Sequence, residues 1–115
     1  MIPTTLVVGT PALREQAIAD AVEPGVHTAV ILEGMPGPHA MLNGDGMLQV
    51  ARIAAGCPCC EGNLVLRVTL NRMLRYRPRR LFIGLAAPDH LPSMRAFLSR
   101  SPYDALLHLT ADILR

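Results

Sequence analysis

Three short apolar runs limit what this chain can become. They are Thr4-Thr-Leu-Val-Val-Gly9, Thr28-Ala-Val-Ile-Leu-Glu-Gly34 and Arg80-Leu-Phe-Ile-Gly-Leu-Ala86. The first two are rich in β-branched residues and end at glycine. Runs of this kind, apolar without alternation, read as strands buried on both faces, the pattern of a parallel sheet covered by helices. Between the first two lies Thr10-Pro11, an N-cap followed by proline at the first helical position. After it, Leu13, Ala17, Ile18 and Ala21 fall at helical spacing, and Pro24-Gly25 ends the segment.

The rest of the chain follows the same alternation. Residues 35–46, with their glycines and prolines, read as a loop. Met47-Leu-Gln-Val-Ala-Arg-Ile-Ala54 reads as a weaker strand at an edge. Asn63 caps a helix that runs to about Tyr76. In it Leu66, Leu70, Met73 and Leu74 share a face, while Arg67, Asn71 and Arg75 fall away from it. Residues 91–100 form a short helix, with Ser101-Pro102 as its break. The segment 105–114 begins as a strand. Strands alternating with helices imply parallel pairing through right-handed crossovers. The expected fold class is α/β: residues 1–115 as a single three-layer domain with a mostly parallel sheet.

Composition removes several function classes. The hydrophobic content is 50% and the charged content 17%, which suits a packed globule. No apolar run reaches the ~18 residues of a membrane span. The first residues lack the basic region of a signal peptide, so a cytoplasmic protein with no membrane partner is expected. The net charge of +2 is too small to imply a nucleic-acid partner. All basic residues are arginine, and Arg67, Arg72, Arg75, Arg77, Arg79 and Arg80 lie in one stretch. They suit a solvated helix end or a surface for phosphate or an acidic partner. Without lysine the chain cannot build a standard phosphate-binding loop.

All the cysteines fall in Gly56-Cys57-Pro58-Cys59-Cys60-Glu61-Gly62. Three thiolates can supply most of a tetrahedral zinc sphere, with the fourth position left for water, Glu33, His27, His39, His90 or His108. Placement just before a helix start favours the thiolate form. A Cys-x-x-Cys at a helix start also suits a redox dithiol, and buried cysteines with no chemistry are a third reading. Three thiols in so short a span favour soft-metal chelation.

The order of these motifs resembles the CobW family of metallochaperone GTPases, within the wider group that holds the hydrogenase and urease nickel-insertion GTPases. Gly56, Cys57, Cys59 and Cys60 match that family's Gly-Cys-x-Cys-Cys motif, and the strand ending at Glu33-Gly34 and the turn Ile83-Gly-Leu-Ala-Ala-Pro-Asp-His-Leu-Pro92 are similar in outline. The resemblance covers nearly all of this chain and about the first half of the family's nucleotide-binding domain. It implies a metal ion held by Cys57, Cys59 and Cys60 and a metalloprotein client; Glu33 is taken as the fourth ligand, and zinc is the default metal because thiolates favour it. The departures fall on nucleotide chemistry. Aligned from Gly9, the family's second phosphate-loop glycine falls at Arg14, its lysine at Glu15 and its magnesium-binding hydroxyl at Gln16. The acidic residue of the later turn falls at Gly84, and its glycine at Ala87. GTP binding is therefore not expected, and GTPase catalysis is not assigned. The expectation is a metal-binding, GTPase-like domain, with a residual GTP-binding protein, a thiol redox protein and an interaction module that forms a homodimer as the alternatives.

Overall fold

A computed structural model describes residues 1–34, 42, 46–53 and 64–115. The three apolar runs become the strands β1 (Ile2–Val8), β2 (Thr28–Glu33) and β4 (Arg80–Leu85). The weaker run becomes β3 (Leu48–Ile53). The helices are α1 (Pro11–Ala21), α2 (Leu64–Leu74) and α3 (Leu91–Leu98). Two short strands, β5 (Leu107–Leu109) and β6 (Ile113–Leu114), both pair with β1.

Every pairing is parallel, and the order is β3-β2-β4-β1-β5, with β6 beside the end of β1. The central strands alternate their side chains between two cores, as the pleat requires. Leu6, Val8, Ala29, Ile31, Leu81, Ile83 and Leu85 pack with Leu66, Leu70 and Met73 of α2 and Met94, Phe97 and Leu98 of α3. Val7, Val30, Leu32 and Phe82 point the other way, onto Ala17 and Ile18 of α1 and onto Leu42. The sheet thus lies between α1 on one face and α2 and α3 on the other, which is the expected three-layer α/β domain.

Helix placement also settles the handedness relation. The β1–β2 connection crosses β4 in one direction with α1 on one face. The β3–β4 and β4–β5 connections run in the opposite direction with their helices on the opposite face. Reversing both direction and face gives all three crossovers the same hand, as parallel sheets require.

One helix face differs from the sequence expectation. Ala17 and Ile18 are buried, but Leu13 is 52% exposed, and Arg14 and Glu15 are buried in its place. The first turn of α1 stands over the carboxyl end of the sheet, where polar partners await both charges. Thr10 caps the helix as expected: its hydroxyl accepts from the Leu13 N–H at 3.4 Å. α2 buries Leu66, Leu70 and Met73, with Leu74 partly buried and Arg67, Asn71 and Arg75 exposed. It ends at Leu74, and its expected cap, Asn63, lies outside the described residues.

Candidate functional site at the carboxyl end of the sheet

Strand order locates the crevice. From β2 the chain goes outward to β3, and from β4 it goes the other way to β5. Adjacent strands whose continuations diverge leave a gap outside their carboxyl ends, where open α/β sheets bind their ligands. Here Glu33 ends β2 on one side of that gap, and Ala86 to His90 follow β4 on the other.

The Glu33 carboxylate bridges the gap. Its Oε1 accepts from the Ala86 N–H at 3.1 Å, and the His90 Nδ1 stands 3.5 Å from the same oxygen. The longer distance makes His90 a neighbour held in place more than a strong hydrogen-bond partner. Only 3% of the Glu33 side chain is exposed, against 24% for His90. The crevice therefore has a buried carboxylate on its wall and an imidazole nearer to solvent.

Arg14 enters from α1. Its Nη2 donates to the Glu33 carbonyl oxygen at 2.6 Å, while Nε is buried with no hydrogen-bond partner among the described residues. The side chain crosses Gly84: a Cβ there would stand 2.9 Å from Arg14 Cδ and 2.7 Å from a Leu32 methyl. Glycine at this point of β4 is what lets the guanidinium reach the crevice. Loss of hydration on burial pushes the Arg14 pKa down, and the charges of Glu15 and Glu33 partly restore it.

Glu15 is held separately. Arg52 of β3 donates to both of its carboxylate oxygens, at 2.9 and 3.2 Å, and the Leu42 N–H lies 3.3 Å away. Arg52 also donates to the Leu42 carbonyl at 3.2 Å. This two-pronged geometry offsets the cost of burying the ions. Gln16, one residue on, is exposed and bonds Asp20 at 2.7 Å. Thus the three positions aligned with phosphate-loop residues carry a buried cation, a buried anion and a surface amide. Gly9, where that alignment starts, packs against Arg115, whose Cβ would lie 3.0 Å from a Cβ at Gly9.

Of the histidines considered as a fourth ligand, the fold brings His90 to Glu33. His27 precedes β2 at its amino end, roughly 20 Å along the strand at ~3.3 Å per residue. His108 pairs with Pro3 at the amino end of β1. Neither can share a metal with Glu33, because strand length separates them from the crevice. His39, Cys57, Cys59 and Cys60 lie outside the described residues. β3 pairs with β2 up to Glu33–Ile53, and the Gly34 N–H donates to the Ile53 carbonyl at 2.7 Å. Ile53 therefore stands beside Glu33, and the cysteine sequence begins four residues beyond it.

Among the described residues, no three His, Cys, Asp or Glu side chains form a metal-binding group, and no helix is long and apolar enough to cross a membrane. No family model, no curated protein and no solved structure matches the chain.

Proposed function

We propose that the protein binds a transition metal ion, zinc by preference, through Cys57, Cys59 and Cys60, and holds it for delivery to a metalloprotein client. The observation that carries this reading is that β3 ends at Ile53 beside Glu33, four residues before the first cysteine. The four residues from Ile53 to Cys57 span at most about 14 Å, so chain connectivity keeps the first cysteine within that reach of the crevice end of the sheet. Three thiolates and one oxygen or nitrogen donor form a coordination set that zinc favours. Glu33 is the fourth donor in this reading. Its buried carboxylate is already oriented by the Ala86 N–H, as outer hydrogen bonds orient metal ligands.

The reading keeps the likeness to CobW proteins and leaves out GTP. What supports the omission is the state of Arg14 and Glu15, each buried and engaged by the fold where a phosphate loop presents glycine and lysine. The metal is cargo, and no nucleotide step is assigned to its release.

Metal analysis of protein purified without chelator tests this directly. Wild type should carry about one zinc per chain, as expected for a single four-coordinate site. Cys59→Ser should lose most of it, and Glu33→Gln should bind more weakly than wild type in competition with a chromophoric chelator. A wild-type protein with reduced thiols that binds zinc no more tightly than micromolar would end the proposal.

A further inference from the structure

The opposite end of the sheet has a different chemistry. α2 closes with the Tyr76 N–H on the Met73 carbonyl and the Arg77 N–H on the Leu74 carbonyl, both at 3.1 Å. Arg77 then adopts φ +51°, a left-handed conformation that glycine enters without steric cost and that is the usual place for glycine after a helix. Pro78 is buried, and the Arg79 N–H donates to the His27 carbonyl at 2.8 Å. The two arginines are thus fixed at the backbone, while their side chains stay exposed.

Beside them lies a depression of about 520 Å³, lined by Ile2, Leu74, Pro78 and Leu106 together with Arg77 and Arg79. This volume is ample for aliphatic side chains. Residues 64–80 include six arginines and no acidic residue. Arg80 is occupied by Thr5 and the Phe82 ring, and Arg67 lies over Phe97. Among the described residues, Arg72, Arg75, Arg77 and Arg79 form no ion pair.

We infer that this depression docks a segment of a partner protein in which aliphatic residues are flanked by carboxylates. Charge complementarity selects the occupant: the walls accept leucine-sized groups, and the cations beside them are guanidiniums that form no ion pair among the described residues. Arginine forks recognise carboxylates in two-pronged geometry, which a merely apolar segment could not use. The surface is at the amino ends of the strands, so an occupant leaves the Glu33 crevice open. The inference stands independently of metal binding.

The test is fluorescence anisotropy with the full chain and the labelled hexapeptide Asp-Glu-Leu-Leu-Glu-Asp. Asp-Glu-Ser-Ser-Glu-Asp and Lys-Arg-Leu-Leu-Arg-Lys serve as controls. The first peptide should bind, each control at least about tenfold more weakly, since anchor and charge are both required. Arg77→Gly and Arg79→Ala should each weaken binding by about fivefold or more, as loss of a charge-assisted contact does. Arg77→Gly should do so with no fall in melting temperature, because glycine suits the left-handed position. Equal binding of the serine peptide, no binding of the leucine peptide at ~1 mM, or full affinity in both variants would overturn the inference. Tighter binding of a single-stranded oligonucleotide, or self-association that the peptide fails to compete, would overturn it in favour of nucleic acid or a second copy.

Discussion

Arginine serves opposite ends of this sheet in opposite ways. At the carboxyl end, Arg14 is 3% exposed and donates to a strand carbonyl, and Arg52 clasps the buried Glu15 carboxylate. At the amino end, Arg77 and Arg79 are exposed and have no ion-pair partner among the described residues. The same side chain is a structural member at one end and a free surface cation at the other. What separates the two cases is the company of acidic groups. Glu15 and Glu33 stand at the carboxyl end, and no acidic residue occurs between positions 64 and 80. A buried guanidinium needs such partners to offset lost hydration, whereas an exposed one keeps its water.

The largest expected effect would test the carboxyl end. Arg52→Ala leaves Glu15 buried with its bidentate partner gone, and should cost about 3–5 kcal/mol in urea unfolding. A loss below about 1 kcal/mol would place this pair with ordinary surface ion pairs. Next, Gly84→Ala sets a methyl against Arg14 and Leu32 and should cost about 1–3 kcal/mol by thermal melting. At the amino end, Arg79→Ala should change stability by no more than about 0.5 kcal/mol, as at most exposed positions. A larger loss there would erase the contrast between the two ends.

The smallest effect is a pH dependence. Burial raises the Tyr103 pKa above its ordinary value, against weaker opposing effects from Arg67 and the Asn71 hydrogen bond. The raised folded-state value means the contribution is whole below the unfolded pKa of about 10 and is lost as pH rises through the folded value. Since the phenol donates to Asn71 Oδ1 at 2.7 Å, ionisation also removes a donor. A Tyr76→Phe background isolates Tyr103 in an ultraviolet titration. A midpoint at or below about 10 would contradict the burial effect.

The layered architecture was readable because β1, β2 and β4 are apolar on both faces, which few folds other than a covered parallel sheet accommodate. The edge position of β3 followed from its mixed composition. The first turn of α1 was not readable. A helical pattern assigns Arg14 and Glu15 to solvent and Leu13 to the core, yet their partners Glu33 and Arg52 lie 19 and 37 residues away. No local period carries that information. The alignment with a phosphate loop did single out both residues, but for what they fail to offer a nucleotide. The meeting of His90 with Glu33, 57 residues apart, depends on strand order in the same way. So does the pairing of the two-residue strand β6 with the end of β1.

The crossing of Arg14 over Gly84 also makes the two positions energetically dependent on each other. A side chain at position 84 meets the arginine stem, so it is admitted at lower cost once residue 14 has been shortened. An arginine at position 14 likewise fits at least cost where residue 84 has no Cβ. Gly84→Ala should therefore be milder in an Arg14→Ala background than in the wild type, a departure from additivity expected of touching residues. A side chain at 84 and an arginine at 14 thus compete for the same space, and each is accommodated more cheaply where the other is small.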